Sequence, residues 1–230
     1  MMTLLRTRTS PLLLFFLTLS TGCVPSTGMV ERGLERELQT LIGPAEDYDV
    51  NIEGLRARAG EANRVVVVGR RVRIADAPVL DRLEADLWGV QYNRDQRRVE
   101  RVDSASVTAL VRPEDMATFL EDNPNLEDVS VAFQAPNTAT IQARPTISGF
   151  SLPSAVEISG RLRTEAGTVR YDVTDVRAGG LSAGGALARR LTEAINPVVD
   201  LTNSPIGLRV TDVRVENGLL RLDGTGSIER

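Results

Sequence analysis

Residues 181–199, LSAGGALARRLTEAINPVV, form the stretch around which the rest of the chain is best interpreted. Large apolar side chains recur at the spacing of one helix face: Leu187, Leu191, Ile195 and Val198. Polar residues fall on the other side of the same turns: Arg189, Arg190, Thr192 and Glu193. Burying one Leu or Ile is worth about 1.5–3 kcal/mol, so four such residues can dock this helix despite its weak start at Gly184 and Gly185. The stretch therefore predicts an amphipathic helix that covers the apolar face of a sheet.

Most of the remaining chain alternates apolar and polar residues with the period of a β-strand. Branched side chains strengthen this signal, most clearly in the valine run at residues 65–68. The pattern predicts strands at 48–57, 64–75, 85–92, 99–111, 129–135, 139–143, 156–162, 169–173, 208–215 and 219–228. Turn residues predict three hairpins, at Pro136-Asn137, at residues 165–167 and at Asn217-Gly218. One buried face on each strand predicts an α+β fold in which antiparallel β-structure dominates.

Two further helices are predicted outside the strands. Residues 30–42 place apolar side chains on one helix face: Val30, Leu34, Leu38, Leu41 and Ile42. Gly43-Pro44 ends this helix. Pro113 and the acidic pair after it begin a short helix that runs to Leu120, because negative charge is favourable in the first turn. No shift in composition divides residues 30–230, which are therefore predicted to form a single domain.

The composition excludes several classes of function. The chain has 230 residues, one cysteine and no histidine, so it can form no internal disulfide, no histidine-dependent triad and none of the usual structural zinc sites. It has a net charge of −4 and no lysine, with acidic and basic residues interspersed. A nucleic-acid partner is not expected, because that function requires a concentrated basic surface.

The N-terminus has the pattern of an export signal. Two arginines precede an apolar run at residues 11–19, which is too short to span a bilayer. The run ends in Leu19-Ser20-Thr21-Gly22-Cys23, which resembles the bacterial lipoprotein signal, although the leucine lies one place further from the cysteine than usual. We expect residues 1–22 to be a signal peptide, Cys23 to be lipidated and residues 23–29 to be a tether. The alternative is an ordinary secretory signal, and either one predicts a location in the cell envelope.

Residues 205–222, PIGLRVTDVRVENGLLRL, resemble the closing signature of the LmeA-type phospholipid-binding family of bacterial envelope proteins. A proline-glycine corner, a strand, an Asn-Gly turn and a final strand end the domain in that family. The opening helix and the strand-then-helix unit at residues 107–120 also match its general plan. The resemblance implies a tubular lipid-binding (TULIP-like) fold, in which a strongly curved antiparallel sheet wraps around amphipathic helices and leaves an apolar groove. It also implies phospholipid binding without catalysis, and we expect no cofactor.

Apolar faces supply the candidates for such a groove. The candidate lining residues come from the two long helices and from the strands: Leu34, Leu38, Val66, Val68, Val131, Phe133, Leu187, Leu191 and Ile195. An aromatic content of 4% means that small aliphatic side chains must fill most of the interior. The alternative for every one of these residues is ordinary packing in a closed core.

Arg70, Arg71 and Arg73 are the candidates for contact with a lipid headgroup, because a guanidinium pairs with two phosphate oxygens at once. The alternative is that they are solvated residues at a strand end. The glycine-rich stretch at 179–185 lacks the lysine and the hydroxyl residue of a phosphate-binding P-loop, so it is interpreted as a flexible entry to the helix. Trp88 and Tyr92, four residues apart in a predicted strand, should share one face.

Together these patterns predict an envelope lipoprotein that holds a phospholipid or a similar lipid in an apolar groove, for lipid transport or envelope maintenance. Its partners would be the lipid and, through the anchor, the membrane. The alternative is a non-catalytic scaffold lipoprotein with a filled core that binds another envelope protein. An enzyme ranks third, since paired carboxylates are present but none is arranged in a recognisable motif.

Overall fold

The structure, a computed structural model, describes residues 32–229 except 34–35, 38–39, 57–58, 94, 97, 148–149, 152–153, 203 and 205–206. The predicted signal peptide, Cys23, the tether, Leu34 and Leu38 lie outside the described residues. Within the predicted first helix, residues 32–33, 36–37 and 40–41 are helical, and Leu41 and Ile42 are buried at its end.

Six antiparallel strands form the first sheet. Their bounds are β1 Asp47–Glu53, β2 Glu61–Val72, β3 Leu80–Asn93, β4 Arg98–Val111, β11 Arg209–Glu216 and β12 Leu219–Glu229. The spatial order is β1-β2-β3-β4-β12-β11. The C-terminal hairpin therefore lies beside β4, although about a hundred residues separate the two in the chain. On the inner face of β4, Ala105, Val107, Ala109 and Val111 are all buried, as their alternation predicts.

Five antiparallel strands and a short additional strand form the second sheet. Their bounds are β5 Leu126–Gln134, β6 Thr138–Ile147, β7 Phe150–Ser151, β8 Val156–Glu165, β9 Thr168–Ala178 and β10 Leu181–Ser182. The order is β10-β9-β8-β6-β5, and β7 pairs with β6. Neither sheet closes on itself. The chain is thus α+β and dominated by antiparallel strands, as predicted, whereas the wrapping of one curved sheet around the helices stays a prediction.

Two helices are described in full, α1 Pro113–Glu121 and α2 Gly185–Ile195. Helix α1 packs on β5, and α2 packs on β9. Buried residues of both sheets and both helices belong to one hydrophobic cluster, so the described residues share a continuous core.

The predicted hairpin turns are confirmed by the backbone. Asn217 and Gly218 both have positive φ, at 52° and 77°, which is the conformation of a type I′ turn between β11 and β12. Ala166 and Gly167 form the same kind of turn between β8 and β9, with φ of 54° and 88°. Pro136-Asn137 lies in the turn between β5 and β6.

Within residues 181–199 the helix starts where the sequence predicts its weak start and ends at Ile195, so Val198, which the periodicity placed on the helix face, lies just beyond it. Leu181 and Ser182 pair with Ala178 and Arg177 as β10, and α2 begins only at Gly185. Gly179 and Gly180, with φ of 57° and 82°, turn the chain back along β9 before the helix starts. Glycine enters this left-handed region without steric cost and is a poor helix former, which agrees with the interpretation of residues 179–185 as the entry to the helix.

Candidate functional site

The hydrogen bonds that hold helix α2 in place lie at its C-terminal end. Asn196 accepts a hydrogen bond from the backbone N–H of Tyr171 on β9 at 2.7 Å, and its side-chain amide donates to the carbonyl of Tyr171 at 2.9 Å. From the loop after α1, the Asn123 amide donates to the carbonyl of Ala194 at 2.7 Å. These bonds fix the last turn of the helix, and the first turn has no side-chain cap.

The apolar face of α2 becomes less buried toward its N-terminus. Ile195 and Leu191 are 2% and 3% exposed, whereas Leu187 is only partly buried. Val198 is buried just beyond the helix, where its backbone N–H donates to the carbonyl of Val169 on β9 at 2.9 Å. The helix therefore packs tightly at its C-terminal end and leaves part of its apolar face available near its N-terminal end.

An open groove of about 360 Å³ lies along α2 between Leu187 and Ala194. The start of β5 and the end of β6 form the opposite wall, where Leu126 pairs with Pro145. The lining residues are Asn125, Leu126, Pro145, Thr146, Leu187, Arg190, Leu191, Glu193 and Ala194. Leu126 and Leu191 are almost fully buried, so the floor of the groove is apolar and its rim is polar. A volume of this size is at the lower end of the roughly 300–1,000 Å³ of small-molecule pockets.

The β5 wall is bent by a β-bulge between Glu127 and Ser130, where Asp128 has a positive φ of 51°. Glu121, at the end of α1, accepts a hydrogen bond from the backbone N–H of Val129 at 2.9 Å. The bulge thus satisfies a backbone donor through α1 and turns the start of β5 out of the regular ladder.

Arg190 is a charged rim residue without a described counterion. Among the described residues, most arginines pair with a carboxylate, but five have no side-chain hydrogen bond or ion pair: Arg73, Arg161, Arg189, Arg190 and Arg209. Arg189 and Arg190 are adjacent in sequence and both are exposed. An uncompensated guanidinium beside an apolar floor is suited to a ligand that has an anionic head and an apolar tail.

Comparison with protein families agrees with this chemistry. Residues 27–225 match the family described as LmeA-like phospholipid-binding. The chain belongs to that family. No curated protein and no solved structure matches the chain significantly. The resemblance inferred from the closing hairpin is therefore confirmed for almost the whole chain, and lipid binding is the function that membership in the LmeA-like family indicates.

The structure brings together only some of the residues that the sequence suggested for an LmeA-like groove. Leu187 and Leu191 line it, and Ile195 is buried at the end of the same helix face. Val131 and Phe133 lie on the core face of β5, opposite Ile141 and Ala139 of β6.

Val66 and Val68 lie on the outer face of the first sheet, opposite Asp86 and Glu84, and do not meet α2. Their neighbours in the valine run, Val65 and Val67, are the buried ones. The structure therefore does not place Val66 and Val68 with the groove-lining residues.

The predicted headgroup arginines are largely occupied by carboxylates. Arg70 donates to both oxygens of Asp47, at 2.7 and 2.5 Å. Arg71 donates to both oxygens of Asp115 on α1, at 2.5 and 2.7 Å, and this hydrogen bonding raises the pKa of Arg71. Of the three, only Arg73 has no described side-chain partner. Arg71 therefore ties β2 to α1, and none of the three lines the groove.

Sequence reasoning did not identify Leu126, Pro145 and Arg190 as site residues. Leu126 and Pro145 belong to adjacent strands, and only the tertiary contact with α2 makes them a wall. A usable signal did exist for Arg190, because it follows Arg189 and precedes Leu191 on the helix that the apolar periodicity had already identified.

Two other cavities fit a lipid less well. A pocket of about 390 Å³ between the ends of β2, β3 and β4 is slightly larger, but Glu61, Asp95 and Glu100 line it and would repel an anionic head. A space of about 10 Å³ between the first sheet and residues 201–210 holds no more than a single water. Chemistry rather than size therefore distinguishes the α2 groove.

Within the described part of the chain, no group of acidic or cysteine side chains is arranged to hold a metal ion. No helix among the same residues is long and apolar enough to cross a bilayer.

Proposed function

We propose that this protein is a cell-envelope lipoprotein that binds a phospholipid, or a similar lipid, in the α2 groove. The observation that supports this most directly is an apolar floor with an unpaired arginine at its rim, in a member of a phospholipid-binding family. The role would be lipid transport or envelope maintenance, without catalysis.

The size of the groove fits part of an acyl chain. Burial contributes about 0.8 kcal/mol per methylene, so about ten methylenes would contribute about 8 kcal/mol, which corresponds to a micromolar dissociation constant. No specific polar contact is required for that affinity. Binding of a complete diacyl lipid requires a larger enclosed space, and the tubular arrangement implied by the family resemblance is part of this proposal.

Arg190 is proposed to bind the lipid phosphate. Its guanidinium can donate two parallel hydrogen bonds to phosphate oxygens, and it forms no ion pair with a described carboxylate. Glu193 also lines the rim, one turn further along α2, so the acyl chain rather than the head is expected beside it.

The anchoring part of the proposal concerns residues outside the described ones. Lipidation of Cys23 after removal of residues 1–22 would hold the protein at a membrane facing the periplasm or the exterior. Replacing Cys23 with Ser should abolish metabolic acyl labelling and release the protein from membranes. Unchanged membrane retention would contradict the anchor and leave a secreted or periplasmic protein.

Lipid extraction from the purified protein, followed by mass spectrometry, tests the groove. We expect stoichiometric phospholipid in the wild type and at least a tenfold lower content in Leu187→Glu, because a charge at the groove wall must be desolvated. Arg190→Glu should also lower retention of anionic lipid, and Arg161→Glu is the matched control, since Arg161 is an exposed arginine of β8 without a described partner and does not line the groove.

A protein that is consistently empty and takes up no labelled phospholipid would contradict the proposal. If such a protein co-purified with a stoichiometric envelope protein, the scaffold function predicted as the alternative would replace it.

A further inference from the structure

Two large hydrophobic side chains are exposed among the described residues, Trp88 at 48% and Leu181 at 77%. Trp88 has a partner, because the guanidinium of Arg64 lies over its ring at 5.2 Å. Leu181 lies in β10, immediately after the Gly179-Gly180 turn, and is the more exposed of the two. Among the described residues, Leu181 is therefore the large hydrophobic side chain with most of its surface in solvent.

The surroundings of Leu181 are open. We define the α2 tip as residues 179–186, GGLSAGGA, in which Leu181 is the one large side chain. A Cβ added to Gly179, Gly180, Gly184 or Gly185 would meet no heavy atom of the described structure within 4 Å. The tip is nevertheless held in place, since the backbone N–H of Ala183 donates to the carbonyl of Val176 on β9 at 2.7 Å. It thus presents a leucine on a small-residue loop that is fixed to the sheet.

Positive charge lies next to the α2 tip. Arg189 and Arg190, in the first two turns of α2, have no described counterion. The acidic residue of the helix, Glu193, lies three to four residues further on, about 5 Å further from the tip along the axis. The helix N-terminus itself also points toward the tip and carries partial positive charge without an acidic residue in its first turn.

The α2 tip leads along the chain into residues that line the groove. Leu187 follows the tip directly on α2, Arg190 comes three residues later, and both line the groove. These features complement the surface of an anionic bilayer. The exposed leucine suits the acyl boundary, and arginines without a described counterion suit the lipid phosphates.

We propose that the α2 tip docks on the surface of a bilayer that contains anionic phospholipid. Leu181 enters the acyl boundary, and Arg189 and Arg190 pair with lipid phosphates. This inference rests on the proposed lipid-binding function and names the surface from which the groove collects its ligand. A protein partner fits less well, because a stable protein interface buries roughly 1,200–2,000 Å², and one leucine among glycines and alanines offers far less apolar surface.

Sedimentation with vesicles tests the proposal on the full chain. Every protein carries Cys23→Ser, so that lipidation is absent throughout and any effect of the N-terminus is constant. The vesicles contain phosphatidylcholine alone, or three parts phosphatidylcholine to one part phosphatidylglycerol. We expect Leu181→Ser to lower the partition coefficient for the mixed vesicles about tenfold. Trp88→Ser, which removes the other exposed hydrophobic residue, should change it less than twofold.

Arg189→Glu should remove most of the preference for the anionic vesicles, and added salt should weaken binding of the parent protein in the same way. Equal binding of the parent and Leu181→Ser would overturn the proposal. So would an equal loss in Trp88→Ser, since that would indicate non-specific adsorption.

Failure of docking and failure of lipid binding give different results. If the groove binds lipid but the tip does not dock, Leu181→Ser retains its extracted phospholipid and sediments like the parent. If docking occurs without a lipid groove, Leu181→Ser loses sedimentation while the parent protein contains no extractable lipid.

Discussion

Arg64, on the outer face of the first sheet, is fully paired, whereas two adjacent arginines of α2 have no described counterion. On the sheet, Arg64 donates to both oxygens of Asp86, at 2.8 and 2.6 Å, and approaches Glu53 at 3.3 Å. On α2, Arg189 and Arg190 have no such partner among the described residues. Most of the described arginines are paired, and Arg189 and Arg190 are the two adjacent ones among the five that are not.

The two regions also differ in how deeply their leucine side chains are buried. Leu220 on β12 is fully buried between its neighbours, whereas Leu187 on α2 is only partly buried and faces the groove. Leu220 therefore belongs to the packed core, whereas Leu187 leaves part of its apolar surface in the groove.

The largest predicted effect contrasts these two leucines. Leu220→Ala should lower the free energy of unfolding by about 2–5 kcal/mol, because it removes packed atoms and leaves a cavity. Leu187→Ala should cost less than about 1 kcal/mol, because its side chain is already partly solvated. Chemical denaturation of both variants measures the difference. Equal losses would mean that the groove wall is packed as tightly as the sheet.

A smaller effect is predicted for the ion pair that joins β2 to α1. Asp115→Ala should lower the free energy of unfolding by about 1–3 kcal/mol, since it leaves the partly buried Arg71 without its bidentate acceptor. Glu114→Ala is the control, because it removes a neighbouring acidic residue of the first turn of α1 that forms no ion pair with Arg71. If both variants lost a similar amount of unfolding free energy, the effect would come from the removal of negative charge at the start of α1 and not from the Arg71–Asp115 ion pair.

The smallest effect concerns pH. The hydrogen bonds from Arg64 lower the pKa of Asp86 from its ordinary value of 3.8. Because the folded pKa lies below the unfolded one, the stabilisation is present above pH 3.8 and is lost as pH falls through the lower folded value.

Asp86→Asn should therefore flatten the fall in stability below pH 4, by less than about 1 kcal/mol, since both side chains are partly solvated. Thermal denaturation at pH 3 and pH 6 measures it. Arg64→Gln, which removes the donor of these hydrogen bonds, should flatten the fall in the same way, and an unchanged fall there would contradict the assignment.

Local signals predicted the hairpins and the buried faces well. Asn217-Gly218 makes a two-residue turn because both residues tolerate positive φ, and this preference does not depend on tertiary context. The inner residues of β4 were identified correctly because that strand alternates apolar and small polar side chains without interruption. The closing hairpin also contained enough of the family signature to predict membership of the LmeA-like family.

Other features depended on contacts that no local pattern contains. Among four consecutive valines, alternation cannot indicate which pair faces the core, and register with β3 buries Val65 and Val67. Trp88 and Tyr92 do not share a face as predicted, because the backbone between them leaves regular pleating at Gly89, with φ of 63°, and shifts register at Gln91/Tyr92. A side chain at Gly89 would overlap the carboxylate of Asp103.

The sequence by itself determined the secondary structure of most of the chain, the amphipathic character of residues 185–195 and the family to which the protein belongs. These features follow from backbone preference, side-chain periodicity and short turn motifs, which act over a few residues. Tertiary structure decided where the groove lies and which of the described arginines have a carboxylate partner. The groove wall forms because β5 and β6 place Leu126 and Pro145 against α2, and Arg70 and Arg71 are neutralised because Asp47 and Asp115 fold onto them. Both outcomes depend on residues far apart in the chain, whose meeting only the packed fold specifies.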